Sequence, residues 1–201
     1  MYAKFIKRII DFVLSLCALI VLSPVLVVLT IVGSICMKGN PFFVQKRPGK
    51  NERIISLLKF RTMTNEKDKD GKFLPDEIRL VSYGKFLRST SLDELPSLIN
   101  ILIGNLSIIG PRPLLIEYLP WYTETEKHRH DVRPGLTGWA QVNGRNSISW
   151  SERFEMDIDY IDTYNLFLDI KILFMTVYKV IKRDGISQEG NATMESFTGD
   201  N

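Results

Sequence analysis

Apolar residues crowd the first forty positions of the chain, while charged residues are spread over the rest. From Ile9 to Met37 the chain reads IIDFVLSLCALIVLSPVLVVLTIVGSICM, with Asp11 as its one charged residue. A run of this length and composition predicts a membrane helix. It does not fit a cleaved signal peptide, because it is too long and no small-x-small site follows it. Three features argue against a straight span. Ser23-Pro24 lies in the middle, and proline removes a backbone donor and kinks or breaks a helix. Each flanking half has about 13 residues, roughly 20 Å of helix, against a bilayer core of about 30 Å. Positive charge also flanks both ends, with Lys4, Lys7 and Arg8 before and Lys38, Lys46 and Arg47 after. The positive-inside rule is then met if both ends stay on the cytoplasmic face. The pattern predicts a re-entrant helix-break-helix, with a kinked single span as the alternative. Asp11 is expected to pair with Lys7 or Arg8 at helical spacing.

Further along, Phe42 to Arg47, a turn at 48–51 and Ile54 to Phe60 read as strand, turn and strand. Thr64 to Glu77 is a charged surface loop. Leu92 to Leu106 has helical periodicity, with apolar residues at 95, 98, 99, 102 and 103. Gly110-Pro111-Arg112-Pro113 is a rigid turn with room for a cis proline. Trp121 to Arg133 is polar and charged, and Pro134 to Trp139 is a second turn-rich stretch. Ser151 to Tyr164 predicts an amphipathic helix with a serine cap. Leu168 to Arg183 predicts a longer helix carrying Lys171, Lys179, Lys182 and Arg183, ended by Gly185. That helix either packs on the core or lies in the membrane interface with its lysines at the headgroups. The fold class is α+β, mostly helical. A re-entrant membrane helix occupies 1–38. A cytosolic domain at 39–185 holds a short β-hairpin and amphipathic interfacial helices, and 186–201 is a polar tail.

Composition narrows the function. A chain of 201 residues supports one modest domain plus an accessory segment. A net charge of +3 without a basic stripe argues against nucleic-acid binding. The basic clusters beside the apolar run and in the last helix suit anionic lipid headgroups. Cys17 and Cys36 lie inside the apolar run without metal-site spacing, so they read as small apolar residues in a reducing compartment. His128 and His130 share one charged loop and read as a solvated surface pair.

The best candidate site is Arg88-Ser89-Thr90-Ser91-Leu92-Asp93-Glu94-Leu95-Pro96. Two adjacent carboxylates stand at a predicted helix start, where free N–H groups attract phosphate. The pair could hold Mg²⁺, which brings substrate phosphates with it. One of the two could instead attack phosphorus. A purely structural account stays open: Asp93 as an N-cap, or Ser91 and Glu94 as a capping box. Basic residues on turns shift the balance toward phosphate chemistry. Lys59 and Arg61 stand at a strand end, Arg112 between prolines, Arg133 before Pro134 and Arg145 after Gly144. Arginine matches phosphate bidentately. Lys59, Arg88, Arg112 and Arg145 are the candidate phosphate binders. Asp68-Lys69-Asp70 and Asp157-Ile158-Asp159 have the DxD form of metal-dependent glycosyltransferases. The first sits in a loop, and the second on a helix where its carboxylates point apart.

Five segments in order carry a resemblance: Ser23-Pro24, Lys59-Phe60-Arg61-Thr62-Met63, Ser91 to Pro96, Asn105 to Pro113, and Arg133 to Gly138. Together they resemble the small monotopic phosphoglycosyl transferases of the bacterial sugar transferase family, over nearly the whole chain. The resemblance implies a bacterial inner-membrane enzyme on the cytoplasmic face, with a re-entrant membrane helix. It implies a UDP-sugar donor, undecaprenyl phosphate or a similar polyprenyl phosphate as acceptor, and Mg²⁺ held by Asp93 and Glu94. It also implies that Asp93 attacks the donor's β-phosphate, releases UMP and passes the sugar phosphate to the lipid. Glu94 would assist as metal partner or base. The short length is similar to members that start N-linked glycan assembly, which implies UDP-N,N'-diacetylbacillosamine as donor and downstream glycosyltransferases as partners. Two rivals are a DxD glycosyltransferase that releases UDP and a non-catalytic membrane adaptor in which Asp93 and Glu94 only cap a helix.

Overall fold

The computed structural model describes residues 2–144, 148–182 and 196–199. Arg145, the helix end expected at Arg183 and Gly185, and most of the tail lie outside the described residues. After a π-helical turn at Tyr2–Ile6, α1 runs from Lys7 to Cys36. Strands β1 (Phe42–Pro48) and β2 (Ile54–Phe60) follow, then α2 (Asp76–Arg79), α3 (Ser82–Thr90) and α4 (Ser97–Ile103). Next come β3 (Ser107–Ile109), α5 (Glu124–Lys127), β4 (Gly135–Thr137) and α6 (Trp139–Asn143). The described helices end with α7 (Trp150–Thr163) and α8 (Leu166–Lys182).

The expected break at Ser23-Pro24 is corrected: α1 continues through Pro24 as one helix. Proline offers no N–H to the carbonyl four residues back, here Ile20. The Ser23 hydroxyl donates to that same carbonyl at 2.7 Å, so the acceptor stays satisfied. The helix is long and apolar enough to cross a membrane, yet the folded domain holds it along its length. Asp11 does not pair with Lys7 or Arg8. It is buried and accepts from the Ser107 hydroxyl at 2.8 Å and the Ile108 N–H at 3.0 Å. Lys7 pairs instead with Asp169 of α8 at 2.5 Å. Arg8 donates to the carbonyls of Ile101 and Leu102 at 2.6 and 2.7 Å. These are end-of-helix acceptors of α4, and the Ile101 carbonyl also accepts from the Gly104 N–H at 3.0 Å.

The expected hairpin forms, antiparallel and in register from Phe42 opposite Phe60 to Pro48 opposite Ile54. The free edge of β2 is closed by side chains of α4. Asn100 accepts from the Leu58 N–H at 2.9 Å and donates to the Ser56 carbonyl at 2.8 Å. The Ser97 hydroxyl donates to the Leu58 carbonyl at 2.8 Å. Beneath this seam, Leu57, Leu98, Ile101 and Leu106 form a core that Ala18, Leu19 and Leu22 of α1 cover. A second core joins Leu29 of α1 to Phe60 and Leu87. An aromatic core lies apart from α1 and consists of Leu114, Tyr118, Tyr122, Trp150, Phe154 and Phe197.

Several expected elements change. The helix expected over Leu92 to Leu106 splits into a 3-10 turn at Leu92–Glu94 and the shorter α4. The turn-rich stretch after Pro134 contains β4, which pairs in parallel with β3. That contact requires bare backbone, since a Cβ on Gly135 would stand 2.1 Å from the Gly110 nitrogen. No described peptide bond is cis, so the prolines flanking Arg112 are trans. Helix α7 starts at Trp150, and its cap is Ser149, in a capping box with Glu152. Helix α8 buries Asp169 and Ile172 and exposes Phe167, Phe174 and Ile181 at 83, 72 and 76%.

Candidate active site

Asp93 and Glu94 are placed by two changes of backbone direction. α3 ends at Ser91, whose φ of 56° lies in the left-handed region, and the chain turns at once into the 3-10 segment Leu92–Glu94. A residue with a side chain pays about 1–2 kcal/mol for that conformation. Neither capping role expected from the sequence occurs. Ser91 makes no side-chain cap bond, and α4 begins three residues beyond Glu94 with Pro96 at its N-cap.

Two cations converge on one oxygen of Glu94. Lys59 Nζ lies 2.8 Å and Arg112 NH2 2.7 Å from Glu94 Oε1. The β2–α4 seam brings Lys59 to this position. Arg112 is held by its backbone: Gly135 N–H donates to the Pro111 carbonyl at 2.9 Å, and Arg129 NH2 donates to the Arg112 carbonyl at 2.9 Å. Burial works to raise the Glu94 carboxyl, but the charges and hydrogen bonds of Arg112 and Lys59 outweigh it. They hold Glu94 well below the usual carboxylate range.

Its neighbour is different. The Asp93 carboxylate accepts no hydrogen bond from the described residues. Burial, and then the adjacent Glu94 charge, push its carboxyl above the ordinary value, opposed by Lys59, Arg112 and Arg88. Arg88, at the end of α3, donates to the Thr62 hydroxyl at 3.1 Å, and its charge reaches Asp93. The structure therefore groups Lys59, Arg88 and Arg112 around Asp93 and Glu94. Arg145 falls outside the described residues.

A cavity beside Glu94 is lined by Arg47, Lys59, Ser97, Arg112, Gly135 and Leu136, among others. Its floor and walls thus come from the hairpin, α4 and the two glycine-bearing turns. Among the described residues no three His, Cys, Asp or Glu side chains gather as a metal cluster. Mg²⁺ is commonly held by only one or two carboxylates together with substrate phosphates. An unpaired Asp93 beside Glu94, whose second oxygen has no hydrogen-bond donor among the described residues, matches that donor set.

In each of the other acidic candidates the first carboxylate is engaged. Asp157 pairs with Arg129 at 2.7 Å, with side chains 2 and 1% exposed, whereas Asp159 is exposed, so the two carboxylates of the second DxD segment do not converge. Its role is to fix Arg129, which in turn holds Arg112. Asp68 accepts from the N–H groups of Asp70 and Lys72, both at 2.9 Å, and so closes its own loop. The histidine expectation also changes. His128 is exposed and bonds Asp131 at 2.8 Å. His130 is buried, and burial, then the Arg129 charge, push its pKa down to about 4. The stretch that reads as polar thus contributes Tyr122, Arg129 and His130 to the interior. Sequence reasoning missed Arg47, Ser97, Asn100 and Arg129 as site or supporting residues. Asn100 carried a faint signal, a polar residue inside an apolar helical stretch.

Comparison with known proteins gives this geometry a context. The chain is 50% identical over 195 residues to the uncharacterized sugar transferase EpsL of Bacillus subtilis, covering 96% of each. It is 39% identical over 183 residues to the UDP-glucose:undecaprenyl-phosphate glucose-1-phosphate transferase of Klebsiella pneumoniae, covering 86% of this chain and 39% of that one. The Salmonella typhimurium undecaprenyl-phosphate galactose phosphotransferase is 34% identical, with 91% of this chain matched to 42% of its own. The chain thus spans about two fifths of these two larger relatives. Residues 2–183 match the bacterial sugar transferase family, and the chain belongs to that family.

Proposed function

We propose that this chain transfers a sugar 1-phosphate from a UDP-sugar to undecaprenyl phosphate through a covalent phosphosugar on Asp93. One observation carries the reading. Of two adjacent carboxylates, one is clamped by Lys59 and Arg112, and the other stands unpaired beside them. A carboxylate without hydrogen-bond donors keeps its electron pairs for attack, and the nearby cations stabilise charge that develops on phosphate. An Asp93 oxygen attacks the β-phosphorus of the donor. The bond from that phosphorus to the bridging oxygen breaks, and UMP leaves with the electron pair. The lipid phosphate oxygen then attacks the same phosphorus and displaces Asp93, leaving a sugar diphosphate on the polyprenol.

Glu94 acts in this scheme as an anchor. A carboxylate held far below its usual range is a weak base, whereas it is well suited to fix Lys59 and Arg112. Asp93 and Glu94 are also the residues that would hold Mg²⁺, which supplies neutralising charge to the donor phosphates. Lys59, Arg88, Arg112 and Arg145 bind phosphate. The exposed apolar faces of α1 and α8 rest in the cytoplasmic leaflet of the inner membrane, with both ends of the unbroken α1 on the cytoplasmic side, so the site meets the lipid phosphate at headgroup depth.

The test is a panel of UDP-glucose, UDP-galactose and UDP-N,N'-diacetylbacillosamine, each with undecaprenyl phosphate and Mg²⁺. UMP release and a phosphosugar mass on the Asp93 peptide are expected with at least one donor. Release of UDP would identify simple glycosyl transfer, and turnover without an adduct would remove the covalent route. A positive bacillosamine donor would place the chain at the first membrane step of N-glycan assembly, ahead of downstream glycosyltransferases.

A further inference from the structure

The cavity beside Glu94 holds a guanidinium that the clamp on Glu94 does not use. Arg47, near the end of β1, lines the cavity together with Lys59, Glu94 and Arg112. Its backbone is fixed by the hairpin register opposite Ile55, and the next residue, Pro48, is fully buried. Among the described residues it has neither a hydrogen bond nor an ion pair. Burial, then the charge of Arg112, lower its pKa, and Glu117, Tyr118 and Tyr122 only partly offset this. Arg153 of α7 adds to the same field. It is buried, stacks over Trp150 at 4.6 Å and is attracted by Asp157 while Arg112 and Arg129 repel it.

Arg47 brings a further half-buried positive charge to a cavity whose carboxylate, Glu94, is already held by Lys59 and Arg112, and that costs stability. A bound anion removes that cost, and arginine pairs suit phosphate because their planar forks accept two oxygens each. The position of the pair distinguishes one phosphate from another. Arg47 lies within electrostatic reach of Tyr118 and Tyr122, members of a core that includes no residue of α1. The cores next to Asp93 include Leu26, Leu29 and other residues of α1. Arg47 therefore stands at the part of the cavity nearer the aromatic core, whereas Asp93 stands between Leu92 and Leu95, which pack against α1.

We propose that Arg47, with Arg112, positions the phosphate that remains on the nucleotide, so that Arg47 serves donor binding and UMP departure but not acceptor binding. The assignment rests on the reading of the chain as a UDP-sugar-dependent phosphoglycosyl transferase. It makes Arg47 a positioning residue and leaves the reacting phosphorus to Asp93.

The full chain in nanodiscs is tested with UMP and with uridine as probes, which isolates the phosphate contribution. Wild type is expected to bind UMP more tightly than uridine. Arg47→Gln should reduce that preference at least tenfold, and Arg47→Lys, which keeps charge but not the planar fork, should fall between. With an active donor, Arg47→Gln should raise KM for the UDP-sugar. Discharge of preformed Asp93 adduct to undecaprenyl phosphate should proceed at the wild-type rate. Unchanged UMP preference in Arg47→Gln, or a defect confined to discharge, would overturn the assignment. The lysine variant retains the aliphatic stem and covers the case of misfolding in the glutamine variant. Failure of the parent reading appears separately, as absence of UMP release by wild type across the donor panel.

Discussion

At the scale of single residues, Asp93 and Glu94 differ in protonation behaviour because their surroundings oppose each other. Glu94 is held ionised by Arg112 and Lys59, while Asp93 is held above its ordinary value chiefly by burial and by Glu94 itself. The sign of the Asp93 effect makes a prediction. A carboxyl whose pKa is raised on folding binds its proton more tightly in the folded state. Its ionised form at neutral pH therefore weakens the fold, and that cost fades as pH falls toward the folded value. Asp93→Asn removes the charge. It should raise Tm at pH 7.5, with the gain shrinking as the pH is lowered through the acid range, while UMP release drops at least about a thousandfold. Thermal scans across that range, alongside turnover, check both arms. A lower Tm at neutral pH together with retained activity would show that Asp93 is neither strained nor the nucleophile. For the wild type, turnover should decline on acidification as Asp93 takes up its proton, since only the carboxylate attacks.

At the scale of elements, the site depends on buried polar supports that lie outside it. Asp157 on α7 holds Arg129, and Arg129 holds the Arg112 carbonyl. Both side chains are almost fully buried, so removing one partner leaves a buried, unpaired charge. Asp157→Asn should cost about 3–5 kcal/mol in urea unfolding and lower turnover by displacing Arg112. The double variant Arg129→Met, Asp157→Leu should recover much of the stability but not the turnover, because the Arg112 carbonyl stays unsupported. Equal recovery of both would show that Arg129 has no part in placing Arg112. These supports also mark what the sequence could and could not reveal. The hairpin was readable because its apolar and turn residues act locally, and the paired carboxylates with Lys59, Arg88 and Arg112 were readable as residue types. The β3–β4 pair was not, because it has three residues a side and rests on the close approach of Gly110 and Gly135 across a long loop. Asp157 read as half of a DxD segment since spacing says nothing of burial. Arg47 read as flanking positive charge, and only the register of β1 turns it into the cavity.

At the scale of the whole molecule, α1 decides how the enzyme meets the bilayer. Its 30 residues reach about 45 Å, enough to cross. The folded domain nevertheless holds it near both ends. Arg8 and Asp11 are tied to α4 and β3. Near the other end, the Tyr83 hydroxyl donates to the Leu29 carbonyl at 2.8 Å, and a Cβ on Gly33 would stand 2.8 Å from that hydroxyl. These two anchor points are about 30–40 Å apart along the helix. A helix crossing the bilayer upright could touch a cytosolic domain near one end only. Contact at both ends would require the domain to follow it through the hydrocarbon, with Lys59, Glu94 and Arg112 on board, and charges are expensive there. The helix is better accommodated lying shallowly in one leaflet, its exposed face of Phe12, Leu16, Val27, Val28 and Ile31 turned to lipid and its other face on the domain. Single cysteines placed by Lys4→Cys and by Lys46→Cys, each in a Cys17→Ala, Cys36→Ala background, should then both react with an impermeant maleimide from the cytoplasmic side. Neither should react from the outside of intact cells. Labelling of the two positions from opposite sides would establish a single span, and the contacts of α1 with α3, α4 and β3 would have to break for the protein to sit in its membrane.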